Sequence, residues 1–243
     1  MNNLFQSVAD NLLYVLGFLL VIAALFVVAY ILEKAAQKKN GISEKMFNTR
    51  KTAVIGMFSA IAAILMLFEF PLPFAPAFYE LDFSELPILV GTFAFGPAAG
   101  VMMEFVKILL KLLFKGTSTA FVGDLANFAV GCSFILPASV VYSFRKNKKN
   151  AVIACVTGTL CITVFGTAFN AVYLLPAFSR LYGIPLDSLL AMGMEANGLV
   201  REGSIVSFVA ACVAPMNLIK GASVSLVTML IYKPLSPVIK GRH

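Results

Sequence analysis

Residues 86–115, LPILVGTFAFGPAAGVMMEFVKILLKLLFK, form a largely apolar run broken once, at Gly96-Pro97, and the fold turns on whether it crosses a membrane once or twice. The charges further along decide between the two. Arg145, Lys146, Lys148 and Lys149 follow one more apolar run, 125–144. A single crossing leaves these basic residues outside, against the positive-inside rule, whereas two passes turning at Phe95-Gly96-Pro97 bring them inside. The first of the two passes is short. About 11 residues at 1.5 Å each cover roughly 17 Å, against a hydrocarbon core of roughly 30 Å, so this pass must lean on whatever precedes it.

What precedes it is 71–87, PLPFAPAFYELDFSELP, with four prolines, three phenylalanines and Tyr79 beside Glu80, Asp82 and Glu85. Proline fixes its own φ and biases the residue before it toward extended backbone, so Pro71, Pro73 and Pro76 predict a stiff, non-helical strap. Such a strap suits two roles, a cap on a helix bundle or a lid over a ligand.

Composition agrees with a membrane bundle. Hydrophobic residues make up 60% of the 243 and charged residues 13%, with a mean hydropathy of +0.90; this is more apolar and less charged than a soluble domain. The net charge of +7 does not indicate nucleic acid, because the basic residues cluster beside apolar runs as cytoplasmic loops do. Cys132, Cys155, Cys161 and Cys212 lie inside apolar runs without ligand-like spacing and read as small core residues.

Residues 11–32 form an uncharged run preceded by Asp10 and followed by Lys34, Lys38 and Lys39. That charge order is opposite to a cleaved signal peptide and predicts a permanent helix with its N-terminus outside. The run 52–68 then leads outward into the strap. Its Gly56, Ala60 and Ala63, with Ser59, recur at spacings of three and four and share a helical face. Small residues let helices approach closely in lipid, either inside the bundle or against another subunit.

The pass after Gly96-Pro97 carries Glu104, Lys107 and Lys111 at spacings of three and four. Ionisable groups in a span are costly and face a partner or an interior, so these either pair with one another or meet substrate. Residues 117–119 form an outer turn, 125–144 a span entered through Gly123-Asp124 with Asn127 one turn in, and 150–179 a return outward bearing Thr167 and Asn170. The mixed-charge segment 180–202 is an external excursion, and 203–232 is the last span, with Asn217 and Lys220. Segments assigned to the inside hold 13 of the 19 lysines and arginines.

Asn170, Asn217 and Lys220 lack partners in their own helices and sit at similar depth beneath the strap. They form either an internal hydrogen-bond cluster or a site for a planar, partly apolar solute with a polar edge. Lys220, if internal, has Glu104 as its leading acid.

The stretches LDFSELP, FGPAAG, GDLANF, FNAVYLLP and APMNLIKG, in this order and spacing, resemble the riboflavin-specific S components of energy-coupling-factor transporters over residues 51–233. The resemblance implies an all-α bundle with a six-span core over 46–243, preceded by an additional transmembrane helix and basic linker over 1–45. It implies a multi-pass protein of the bacterial plasma membrane, C-terminus cytoplasmic, that captures riboflavin outside. Delivery inward would use a transmembrane coupling subunit and two cytoplasmic ATPases, with no cofactor and no hydrolysis by this chain. Carried over by motif, Asn170, Asn217 and Lys220 contact the flavin edge, and Tyr79, Glu80, Leu81 and Asp82 belong to the loop that covers it; Thr167, on the Asn170 face, is a further substrate-binding candidate. The resemblance also implies that the face of Gly56, Ala60 and Ala63 docks the coupling subunit. An S component for another vitamin, or for flavin mononucleotide, is the alternative.

Two places depart from the family pattern. Glu80 stands where a hydroxyl residue commonly precedes Leu-Asp-Phe, and VKILLK lacks the polar residue that commonly follows Val-Lys; both bear on the ribityl or phosphate side of the ligand. An enzyme finds no support, since no HExxH, phosphate loop or Cys-His pair is present and the one histidine is His243.

Overall fold

The computed structural model describes residues 12–41, 45, 48–117 and 119–240. Asp10, Asn11, Ser118, Arg242 and His243 of the sequence reading lie outside them.

Among the described residues, five helical stretches are long and apolar enough to cross a membrane: Val15–Lys39, Thr49–Leu67, Val122–Phe144, Lys148–Tyr182 and Ile205–Tyr232. The chain between the second and third of these folds as two antiparallel passes. We label the helices α1 (Leu12–Lys39), α2 (Thr49–Leu67), α3 (Glu85–Phe95), α4 (Pro97–Phe114), α5 (Val122–Phe144) and α6 (Lys148–Phe169), and then α7 (Leu175–Tyr182), α8 (Leu186–Ala196), α9 (Ile205–Phe208) and α10 (Ala214–Lys240). π-helical turns at Asn170–Leu174 and Val209–Val213 join α6 to α7 and α9 to α10. The expected break at Gly96-Pro97 is real. Gly96 has φ +96°, which favours glycine, and Pro97 sits in the first turn of α4, where its missing N–H costs nothing.

The short pass is α3, with 11 residues. Both of its ends are made up by other elements. At one end the Phe93 ring stacks on Tyr142 at 4.5 Å and meets Tyr232 edge-on at 5.6 Å, and the Tyr232 hydroxyl donates to the Phe93 carbonyl at 3.1 Å. At the other end lies the strap, which is non-helical as expected from Pro71 to Ser84, while its last residues, Glu85 to Pro87, are already the first turn of α3. Its arms Phe70–Pro71 (β1) and Glu80–Leu81 (β2) pair antiparallel, Phe70 opposite Leu81 and Pro71 opposite Glu80. The core around α3 is built from Ile88, Leu89, Phe93, Met103, Phe134 and Ile135, all essentially buried.

Helix α1 lies on α4 and α5, burying Phe18 and Ala29 against Val101, Phe128 and Cys132. Its Glu33 is buried and makes two contacts. One oxygen pairs with Lys51 Nζ at 2.9 Å, and the other accepts the Ala98 N–H at 3.0 Å, capping α4. The Asn40 side chain donates to the Ser143 carbonyl at 2.8 Å.

The segment expected as an external excursion, 180–202, is partly helical: α7 continues the α6 axis past Pro176 to Tyr182, and α8 follows. The small-residue face of α2 is split. Gly56 and Ala60 are exposed, while Ala63 is buried with Ser59, whose hydroxyl donates to the Met103 carbonyl at 3.3 Å. Rotation does not account for this, since seven residues at about 100° each leave Ala63 only about 20° from Gly56; the difference lies in what packs at each level of the helix, where Ala62, Ala63 and Met66 are all buried.

Candidate functional site

The strap, the outer ends of α4 and α5, the α6–α7 junction and α10 enclose a cavity of about 760 Å³, within the range of small-molecule sites. Its inner end is polar. Lys220, projecting from α10, is paired with Asp82 Oδ2 at 3.0 Å and Glu85 Oε2 at 2.8 Å. Glu85 also meets Lys107 at 3.3 Å, and Lys107 meets Glu104 at 2.7 Å and donates to Ser84 Oγ at 3.1 Å. Three carboxylates and two ammonium groups are thus linked behind the strap. Each would be costly alone, and each is compensated by its neighbours.

Asp82 is the strap's anchor. Burial alone would push its carboxyl up, but Lys220, Lys107 and the hydrogen bonds from Ser84 outweigh it and hold the pKa at about 2. Tyr79 is the second anchor, its hydroxyl donating to Asn170 Oδ1 at 2.7 Å. Burial, and then the neighbouring Cys212, push that phenol up and keep it a donor. The Asn170 amide in turn donates to the Gly166 carbonyl at 2.8 Å.

Asn217 is 3% exposed and lines the cavity, yet its Nδ2 has no hydrogen-bond partner among the described residues. It packs so closely on α6 that a Cβ at Gly166 would lie 2.6 Å from that nitrogen. An unpaired buried amide is costly and marks a place where another polar group can bind. The wall beside it carries Asn127, whose Oδ1 is likewise unpaired, and Asp124, which accepts from Lys111 at 2.6 Å and Thr117 at 2.8 Å. Toward solvent, Lys115 pairs with Glu69, and burial and the Glu69 carboxylate push the Glu80 carboxyl up.

Asn170, Asn217, Lys220, Tyr79, Glu80, Leu81 and Asp82 therefore meet at one cavity. Thr167 is not among its lining residues, although its hydroxyl is buried without a partner. One expected pairing is corrected: Lys220 takes Asp82 and Glu85 rather than Glu104, because the strap folds back over α10 while Glu104 is held by Lys107. The expected internal pair of Glu104 forms with Lys107, and Lys111 instead takes Asp124 across the α4–α5 turn. Lys111, a candidate for substrate contact, lines the cavity together with Asn127, Asp124 and Thr117, which the sequence does not assign to a site. The three-residue step from Asp124 to Asn127, which puts both on one face of a helix end, was the available signal.

A helical bundle with membrane-length spans, and a half-polar cavity closed by an anchored strap at one end, defines a membrane-embedded solute-binding protein. The family "ECF transporter, substrate-specific component" matches residues 50–232, and the chain belongs to it. It is 34% identical over 195 residues, 80% of this chain and 95% of the relative, to the riboflavin transporter RibU of Staphylococcus aureus (strain TCH60). It is 31% identical over 192 residues, 79% and 94%, to the riboflavin transporter FmnP of Bacillus subtilis (strain 168). A solved structure of the S component of a bacterial ECF transporter superposes with a TM-score of 0.60 at 35% identity, covering 78% of this chain and 97% of that one. The chain is a multi-pass membrane transport component, and α1 precedes the region matched by the family.

Proposed function

We propose that this chain captures riboflavin at the outer face of a bacterial plasma membrane and hands it inward as the binding subunit of an energy-coupling-factor importer. The observation that carries the reading is the unpaired Asn217 amide, buried in the cavity next to Asn170 and Lys220. The pyrimidine edge of a flavin offers carbonyl acceptors and an N–H donor side by side, which two carboxamides and an ammonium can match. Relatives named as riboflavin transporters support the same ligand.

In this reading Asn170, Asn217 and Lys220 hold the ring edge, and Tyr79, Glu80, Leu81 and Asp82 close over it. Gly56 and Ala60 form the docking face for the transmembrane coupling subunit, two cytoplasmic ATPases supply the energy, and this chain performs no hydrolysis. The binding unit is 46–243, with 1–45 an added helix and linker, the N-terminus outside and the C-terminus inside.

Purified protein should carry flavin absorption and quench the fluorescence of added riboflavin. A colourless preparation that leaves riboflavin fluorescence unchanged overturns the reading. Calorimetric binding of another vitamin by protein that leaves riboflavin fluorescence unchanged would reassign the ligand.

A further inference from the structure

The cavity has two unlike ends. At the inner one, Asn217 fixes the polar edge of a ligand; the outer one, open to solvent, is where the rest of that ligand must emerge. The charges there are unbalanced. The hairpin pairing of Pro71 with Glu80 sets Glu80 beside Glu69. Lys115 is engaged by Glu69, and Lys111 by Asp124 at 2.6 Å. Both ammonium groups at this end are therefore already matched by carboxylates, and Glu80 remains as an additional acid over the opening.

We infer that Glu80 is a specificity residue that makes the mouth of the cavity reject a ligand whose tail ends in a phosphate, while admitting one whose tail ends in neutral hydroxyls. This rests on the flavin reading above. A phosphate monoester carries about −1.5 to −2 charges near neutral pH and needs donors or cations. Here it would face a carboxylate and would have to displace Glu69 or Asp124 to reach a lysine. Hydroxyl groups donate to those same carboxylates without displacing anything. The opening is solvated, which limits the repulsion to the range of exposed charges and makes it weaken with salt.

The test is titration of the whole chain with riboflavin and with flavin mononucleotide by fluorescence quenching at pH 8, in low and high salt. Wild type should bind the phosphorylated flavin at least roughly tenfold more weakly, and Glu80→Gln should narrow that ratio by about three- to tenfold, more in low salt. Lys115→Gln should widen it. Glu202→Gln, the same charge change in the outer segment away from the cavity, should leave the ratio as in wild type. A wild-type ratio within about twofold, a ratio unmoved by Glu80→Gln, or equal narrowing by Glu202→Gln overturns the inference. Failure of wild type to bind either flavin instead overturns the reading on which it rests.

Discussion

Lys220 reaches across to the strap, and this gives one side chain two jobs that can be measured separately. Lys220→Met leaves Asp82 and Glu85 with only Lys107 near them. We expect folding stability without ligand to fall by roughly 3–5 kcal/mol, as when one partner of a buried pair is removed. Riboflavin affinity of the folded protein should fall about 10- to 150-fold through loss of a charged donor. Asn217→Ala is the contrasting case. Its amide has no protein partner to lose, so stability should change by less than about 1 kcal/mol while affinity falls about 3- to 12-fold. Loss of stability with affinity retained would make Asn217 a packing residue. Asp82 adds a pH dependence of definite sign. Its folded pKa of about 2 lies below an unfolded value of about 3.9, so its roughly 2–3 kcal/mol is present above pH 4 and lost as pH falls toward 2. Thermal unfolding of Asp82→Asn should therefore show a deficit at pH 7 that closes between about pH 4 and pH 2.

At the scale of elements, α2 and α1 make opposite uses of the bundle. Gly56 and Ala60 face outward, and a Cβ at Gly56 would touch nothing. That leaves a shallow strip where a partner helix could lie close. Ala60→Leu should leave riboflavin titration as in wild type and reduce both co-purification with the coupling subunit and uptake; unchanged assembly would remove the docking role. Helix α1 is tied in by Glu33, which caps α4 and pairs with Lys51. Both contacts lie at the end of the bundle assigned to the cytoplasm, where water can replace a lost carboxylate. Deleting residues 1–45 should therefore keep flavin binding and lower stability by about 1–3 kcal/mol. A folded deletion variant that binds no flavin would show that α1 helps to shape the site.

The whole molecule has two ends of different chemistry. The cavity, the strap and α8 share one end, and the basic turn after α5 lies at the other. Gly198 stands in open space beyond α8, and Lys148 is exposed at the start of α6. On intact cells a membrane-impermeant thiol reagent should modify Gly198→Cys and spare Lys148→Cys. The native cysteines offer little background, being buried or half-buried. Reversed labelling would invert the proposed orientation.

Much of this architecture followed from one-dimensional physics. Runs of apolar residues marked the spans and Gly96-Pro97 the turn, because backbone in lipid must satisfy its own hydrogen bonds, and lysines and arginines supplied the proposed direction. The clustering of Asn170, Asn217 and Lys220 under the strap was legible from depth along the spans. Which acid Lys220 would take was not. Glu104 lay at a suitable depth, but the strap carries Asp82 and Glu85 back over α10, across 138 residues of chain in the case of Asp82. Pairing between segments so distant depends on how the strap folds, and helical spacing carries no information about that. The same holds for Ala63, whose burial is set by where α3 and α4 lie, and for Glu33, one of whose two partners is a backbone N–H presented only once α4 has formed. Helix formation in lipid is a local necessity, whereas the matching of buried charges is decided by whichever partners the packed bundle brings within about 3 Å.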